Sequence, residues 1–163
     1  MLVNFTVKNY RSFKEERTFS MEASSIEEHE ESVIKAGNQR LLPLTIIYGA
    51  NSSGKSNLIF AIYTMQRMVK ESVRLNESDP LLYDPFALDE VSRSAPTLFE
   101  VQLIQGENRY RYGFEYTKKE IVSEWLYENG FGEEEVELFV HSKDVIEVSE
   151  KAFPEGRGKE DLT

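Results

Sequence analysis

The sequence contains no cysteine among its 163 residues, which excludes disulfide bonds and thiolate metal sites. Long apolar runs are also missing, since the most apolar stretch, residues 41–50, is about half as long as a membrane-spanning helix. The N-terminal residues 1–8 lack the basic start, the apolar centre and the cleavage site of a signal peptide. We therefore expect a soluble, cytoplasmic protein with no membrane partner.

Positive charge is scarce as well. The chain has 19 lysines and arginines against 29 aspartates and glutamates, and its formal net charge is −10. Such a balance repels the phosphates of nucleic acids, so DNA is a possible partner that the charge does not support. A local basic patch at Lys8, Arg11, Lys14 and Arg17 is the exception, and a solvated strand face explains it equally well.

Apolar residues are plentiful enough for a folded domain. Hydrophobic residues make up 40% of the chain and aromatic residues 12%, which is sufficient to bury a core and argues against disorder. The length suits one domain of ordinary size.

Hydrophobic periodicity predicts strands on both sides of one helix. Residues 2–10 and 17–23 alternate between apolar and polar side chains, as half-buried strands do. The charged residues 24–39 between them and the next apolar run predict a mobile loop. Residues 41–48 are apolar on both faces, which predicts a strand covered on both sides of a sheet.

The predicted helix covers residues 55–71, where Leu58, Ile62, Met65 and Val69 share one face. Residues 72–97 carry three prolines and predict an irregular excursion. Alternating residues from 98 to 148 predict an antiparallel β-meander, with a turn near 129–132 and a weaker last strand at 145–148. Residues 149–163 are interpreted as a polar tail or the start of a linker.

The segment between the predicted strand and helix carries a phosphate-binding motif. Residues 49–56 match G-x-x-x-x-G-K-[ST], the P-loop or Walker A pattern, at every position. Glycines allow the tight turn that points successive N–H groups at an anion, and the following helix offers its positive end. We expect binding by Gly49, Asn51, Ser52, Ser53, Gly54, Lys55 and Ser56.

The chemistry of the motif assigns two side chains and two cofactors. Lys55 is expected to reach the β- and γ-phosphates of ATP, and the Ser56 hydroxyl to ligate Mg²⁺. No Asn/Thr-Lys-x-Asp guanine-reading motif is present, which is consistent with ATP, but the choice of ATP over GTP rests on the family resemblance given below. The sequence thus predicts an ATP-binding lobe over residues 1–148 of an α/β P-loop fold.

A second acidic site is absent from the sequence. ATP hydrolysis needs an apolar strand that ends in aspartate, and the nearest candidate, Asp84, lies between Pro80 and Pro85, which do not suit a central strand. No Leu-Ser-Gly-Gly-like signature segment occurs either. Catalytic residues are therefore unassigned, and we expect hydrolysis only of a complete protein that includes more polypeptide.

Several segments resemble a known family. They are residues 3–13, the P-loop, and residues 84–86, 99–101, 110–115 and 124–127. In these segments the chain resembles the N-terminal lobe of the ABC-like "AAA family ATP-binding protein" group of the AAA-fifteen type, which is related to the OLD, RecF and SMC ATPases. The block Tyr-Arg-Tyr-Gly-Phe-Glu at 110–115 points to this group most narrowly. The resemblance covers most of residues 1–148.

The resemblance implies an ABC-ATPase-like lobe I, with a mixed core sheet flanked by the meander, in a head that dimerises around ATP. It implies that Arg11, within Asn-Tyr-Arg-Ser-Phe, approaches the nucleotide phosphates. Related chains continue into a C-terminal lobe with signature, Walker B and switch histidine. We therefore expect that lobe either beyond Thr163 or on a second chain.

Three functions remain open on the sequence alone. Since members of the group often lie in bacterial defence operons beside an effector nuclease or toxin, the first is a sensor or regulatory ATPase of an anti-phage, abortive-infection system. The second is a DNA-repair or chromosome-maintenance ATPase of the RecF/SMC kind, which the acidic charge disfavours. The third is a scaffold that uses nucleotide only for stability.

Overall fold

The computed structural model describes residues 1–26, 28–72, 80–130, 134–142 and 145–149. One long helix, α1, covers Lys55–Glu71, and a short 3-10 helix covers Glu30–Ser32. The strands are β1 (Leu2–Lys8), β2 (Arg17–Ser20), β3 (Ile34–Ala36), β4 (Gln39–Leu41), β5 (Thr97–Gln105), β6 (Asn108–Tyr116), β7 (Ile121–Gly130), β8 (Val136–Ser142) and β9 (Val145–Val148).

Seven of these strands form one sheet in the order β2-β1-β5-β6-β7-β8-β9. Strands β5 to β9 follow one another as a meander, and β1 pairs with β5 from the far end of the sequence. The α/β class is thus confirmed. The predicted mixed core sheet is not observed: every strand pair within the described residues is antiparallel.

Helix α1 packs on one face of this sheet because both present apolar side chains there. The shared core holds Phe5, Val7, Tyr10, Ala61, Met65, Met68, Phe99, Phe114 and Tyr116. The helix begins and ends at the predicted residues, but its buried face differs from the prediction. Val69 is 45% exposed, whereas Ala61, Thr64, Met65 and Met68 are buried. The stripe is therefore rotated away from Val69.

Residues 41–48 correct the sequence-based prediction of a covered strand. Leu41 ends β4, and residues 42–48 form neither strand nor helix. No backbone–backbone hydrogen bond joins residues 43–48 to another part of the described chain. Leu44, Ile46 and Tyr48 are 73%, 76% and 91% exposed. A β-strand requires backbone hydrogen bonds to a neighbouring strand. Because residues 43–48 make none, this apolar segment is not part of a sheet.

The segment predicted as a mobile loop, 24–39, contains the β3–β4 hairpin instead. Its register pairs Ile34 with Leu41 and Ala36 with Gln39, and Gly37 takes φ 59° in the turn. Leu41 is fully buried in a second small core with Val3 and Ile104. A Gly-Asn pair at 37–38 was the turn signal in the sequence.

Residues 80–96 contain turns but no helix or strand. Residues 129 and 130, which were predicted to begin a turn, instead form the end of β7. The other two residues of the predicted turn, 131 and 132, lie outside the described part of the chain, as does the tail from residue 150. Among the described helices none is long and apolar enough to cross a membrane.

Candidate nucleotide-binding site

The glycine-rich loop turns directly into the N-terminus of α1. Gly54 is the residue before the helix and has φ 91°, a left-handed conformation that glycine tolerates without strain. Ser52 also has a positive φ of 65°. A Cβ on Gly49 would lie 3.2 Å from the Ser53 hydroxyl oxygen, so the loop closes tightly at its start as well.

The first turn of α1 is open to an anion. No side chain caps the N-terminal N–H groups of the helix, and its first turn holds no acidic residue. The helix dipole adds positive potential at the same end. The open cavity here has a volume of about 330 Å³ and is lined by residues 52–57, within the range of small-molecule sites.

The Lys55 ammonium lies against the loop. Its Nζ donates to the carbonyl oxygens of Gly49 at 2.8 Å and Ala50 at 2.7 Å, and lies 3.4 Å from the Ser53 Oγ. These contacts hold the positive charge beside the cavity. They also link the two ends of the loop.

The Ser56 hydroxyl is exposed in the first turn of α1 and makes no hydrogen bond within the described residues. It is therefore available as a ligand. No group of three or more His, Cys, Asp or Glu side chains that could hold a metal is found in that part of the chain. An Mg²⁺ ion here would depend on Ser56, phosphate oxygens and water, an arrangement that Mg²⁺ accepts.

The turn between β1 and β2 supports the phosphate loop from one side. The Ser12 Oγ accepts a hydrogen bond from the Asn57 Nδ2 at 2.8 Å. The same oxygen lies 3.0 Å from where a Cβ on Gly54 would be. Any side chain at position 54 would therefore meet Ser12 as well as backbone strain.

Arg11 lies on the flank of α1 and not inside the loop. Its guanidinium carbon is 4.5 Å from the centre of the Phe60 ring, and its Nε donates to the Asp84 Oδ2 at 2.7 Å. Within the described residues it makes no hydrogen bond to residues 49–56. The loop residues thus form one site, with Arg11 beside it.

Asn9 fixes the segment 80–96 next to this turn. Its side chain is buried and donates to the carbonyl oxygens of Ser92 at 2.8 Å and Ala95 at 2.7 Å. Its Oδ1 accepts from the Phe86 N–H at 3.1 Å. A buried amide that satisfies several backbone groups holds an irregular segment in one arrangement.

The sequence did not assign roles to the four residues that surround the loop and Arg11. They are Ser12, Asn57, Phe60 and Asp84. Each acts through a contact between segments far apart in the chain, for which no spacing rule exists. Asp84 attracted notice only as an unsuitable Walker B candidate.

An α/β fold in which a glycine-rich lysine loop opens a helix packed on a sheet defines a nucleotide-binding domain of the P-loop class. Residues 44–155 match the family model described as "AAA domain, putative AbiEii toxin, Type IV TA system". The match covers more than half of the chain, and the chain belongs to this family. AAA family ATPases generally use ATP and Mg²⁺. No curated protein matches the chain.

Proposed function

We propose that this chain is the ATP-binding part of an ABC-like ATPase that serves as the sensor or regulatory subunit of a bacterial anti-phage, abortive-infection system. It binds Mg²⁺-ATP at residues 49–56 and controls a partner effector, either a nuclease or a toxin. The observation that carries the nucleotide assignment is the Lys55 ammonium held by the Gly49 and Ala50 carbonyl oxygens, at the start of a helix that has no side-chain cap and no acid in its first turn.

The binding step follows from the donors available. Backbone N–H groups of residues 51–56 surround the β-phosphate, and Lys55 donates to the β- and γ-phosphate oxygens in exchange for the loop carbonyls. Ser56 supplies one oxygen to Mg²⁺, which neutralises part of the triphosphate charge. Arg11 contributes a further cation from the flank of α1.

The test is a titration of the purified chain with Mg²⁺-ATP by calorimetry. Lys55→Ala removes charged hydrogen bonds to phosphate and should weaken binding by about 10- to 100-fold. Lys70→Ala is the matched control, because it removes the same charge from the last turn of the same helix. Equal affinity of Lys55→Ala and the parent chain would remove the loop from the mechanism.

Turnover is a separate expectation. Without an acidic strand end, Mg²⁺ loses an anchor and the attacking water lacks a positioned base, so residues 1–163 alone should bind ATP but not hydrolyse it. A steady-state phosphate-release assay tests this. Robust release that Lys55→Ala abolishes would identify these residues as a complete enzyme.

The proposed partner of this lobe is a further lobe, on the same polypeptide or on a second chain. Support comes from an exposed apolar surface, defined here as the outer surface: Leu44, Ile46, Ile47, Tyr48, Ile59, Phe60 and Tyr63. Four of these residues belong to the unpaired segment 43–48, and three lie on the side of α1 that faces away from the sheet. Exposed apolar side chains in such numbers are typical of interaction sites.

Strands from the further lobe would give residues 43–48 the ladder partners they lack and cover the outer side of α1. In the complete protein, two heads would then associate around bound ATP. In the isolated chain the outer surface should cause concentration-dependent association, measured by sedimentation. Ile46→Lys should reduce it, while Glu107→Lys in the β5–β6 turn is a control outside the surface. Unchanged association in Ile46→Lys would argue against the role of this surface.

The defence role is supported by the family description, which names a toxin and a type IV toxin–antitoxin system. The test is plaque formation on bacteria that carry the native gene with its neighbouring genes. Lys55→Ala should abolish protection against phage, whereas Lys70→Ala should retain it. Protection that does not depend on Lys55 would contradict nucleotide control of the effector.

A further inference from the structure

Two hydrogen bonds join Arg11 to Asp84. The Arg11 backbone N–H donates to the Asp84 carbonyl oxygen at 2.8 Å, and the Arg11 Nε donates to the Asp84 Oδ2 at 2.7 Å. The backbone bond fixes Arg11 in a left-handed conformation with φ 49°. The side-chain bond fixes one edge of the guanidinium.

The opposite edge of the guanidinium is available. The Arg11 guanidinium carbon lies over the Phe60 ring, 4.5 Å from its centre, and within the described residues the two Nη groups make no hydrogen bond. The Arg11 side chain is 34% exposed. Two neighbouring Nη groups without other partners can donate hydrogen bonds to two oxygens of one phosphate.

The contact with Phe60 places Arg11 close to the phosphate loop. Phe60 follows Ser56 by four residues on α1, and residues at this spacing lie on one helix face one turn apart. The next residue after Arg11, Ser12, already contacts Asn57 in the first turn. Arg11 is therefore held one turn away from the expected Mg²⁺ ligand.

Asp84 is itself well anchored. Its neighbour Tyr83 donates from its hydroxyl to the Ala95 carbonyl oxygen at 2.7 Å, and Phe86 on the other side donates its N–H to the Asn9 Oδ1 at 3.1 Å. The Tyr116 hydroxyl donates to the Leu82 carbonyl oxygen at 2.9 Å. These bonds hold the backbone around Asp84 in place, so its carboxylate can orient the flexible Arg11 side chain.

We infer that Asp84 is a positioning residue for nucleotide binding, which holds the Arg11 guanidinium so that its two Nη groups face the phosphates of ATP bound at residues 49–56. This inference rests on the proposed function. Arginine carries considerable rotamer freedom, and a fixed Nε edge removes that freedom before the nucleotide arrives. Asp84 contacts no phosphate and acts only through Arg11.

An opposite role for Asp84 predicts an opposite result. If the carboxylate competed with phosphate for Arg11, its removal would release the guanidinium and tighten ATP binding. If the ion pair only stabilised the fold, its removal would lower the melting temperature and leave affinity unchanged. The sign of the change in affinity therefore separates the three roles.

The experiment is a double-mutant cycle on the affinity for Mg²⁺-ATP, with Asp84→Asn, Arg11→Ala and the double variant. Asp84→Asn should weaken binding by about three- to fivefold, as expected for one partly exposed ion pair, and should have no effect in the Arg11→Ala background. Asp84→Glu should restore part of the affinity. Asp89→Asn is the matched control, since Asp89 lies in the same segment and contacts Lys14.

Unchanged or tighter binding in Asp84→Asn, or an equal effect without Arg11, would overturn the inference while Lys55-dependent binding stood. Binding that does not depend on Lys55 would overturn the proposed function and this inference together. Arg11→Lys provides an independent variant should Asp84→Asn fold poorly. It keeps the charge but lacks the planar fork, so affinity equal to that of the parent chain would also refute the role.

Discussion

Gly113 lies in the middle of β6 beneath the only tryptophan of the chain, and its replacement by alanine should destabilise the sheet. A Cβ at this position would lie 2.6 Å from Trp125 Cζ2, 2.7 Å from Cε2 and 2.9 Å from Nε1. These separations are shorter than carbon contacts allow. The indole must therefore move away from the strand.

The displacement has a second consequence, because the Trp125 Nε1 donates to the Glu100 Oε2 at 2.9 Å. Overpacking costs about 1–3 kcal/mol, and the loss of one hydrogen bond about 1 kcal/mol. The lower entropy of alanine in the unfolded chain offsets about 0.4–1 kcal/mol. We expect a net loss of about 2–3 kcal/mol in the free energy of unfolding, or about 5–10 °C in melting temperature.

The assay is urea denaturation followed by circular dichroism, with tryptophan fluorescence as a local probe. Because Trp125 is the sole tryptophan, its emission reports directly on whether the indole has moved into solvent. The control is Gly113→Ala in a Trp125→Phe background, where the indole atoms that meet the new Cβ are absent. There the substitution should cost less than about 1 kcal/mol.

Unchanged stability together with unchanged emission in Gly113→Ala would refute this reasoning. An equal loss of stability in the Trp125→Phe background would also refute it, since the cost would then not arise from the indole. Gly113 and Trp125 are direct partners across β6 and β7, so this contact joins the Tyr-Arg-Tyr-Gly-Phe-Glu block to the Glu-Trp-Leu-Tyr block.

Three further predictions concern single polar contacts. Tyr10→Phe removes a buried hydroxyl 2.9 Å from the Thr64 Oγ1 and should lower the free energy of unfolding by about 1 kcal/mol in urea; no change would contradict the assigned bond. Ser56→Ala should reduce the Mg²⁺ dependence of ATP affinity in calorimetry, and an unaltered dependence would exclude Ser56 as a ligand. The hydrogen bond from Arg111 lowers the pKa of Glu135, so that its contribution is present at neutral pH and is lost as pH falls through that lowered pKa. Glu135→Gln should therefore destabilise by less than about 1 kcal/mol at pH 7 and by progressively less as the pH is lowered into the acidic range, and an effect that does not decrease with falling pH would contradict the sign.

Local periodicity predicted the elements whose partners are close in sequence. Helix α1 was predicted with the bounds that the structure has, and the last strand, β9, likewise. The loop glycine Gly54 adopts the left-handed conformation that the motif requires. In these cases the residues that determine the local structure lie within a few positions of one another in the sequence.

Predictions failed where the outcome depends on what covers a residue. Residues 41–48 have the composition of a covered strand, but in the described chain nothing pairs with residues 43–48. Val69 is apolar and lies on the periodic stripe, yet the sheet contacts the neighbouring face that includes Met68. The partnership of Asp84 with Arg11 joins segments 73 positions apart, and no local pattern encodes it.

The placement of β1 beside β5 has a consequence for the order in which the chain folds. The four hairpins from β5 to β9 close short loops, which form quickly, whereas the Asn4–Gln102 contact spans 98 positions. The meander should therefore form first and act as the template on which β1 and then α1 assemble. The turn with Asn9, Arg11 and Ser12 arrives with β1, so the nucleotide loop acquires its support late in folding. Bound ATP would then stabilise the last part of the domain to form, and should slow unfolding more than it accelerates folding.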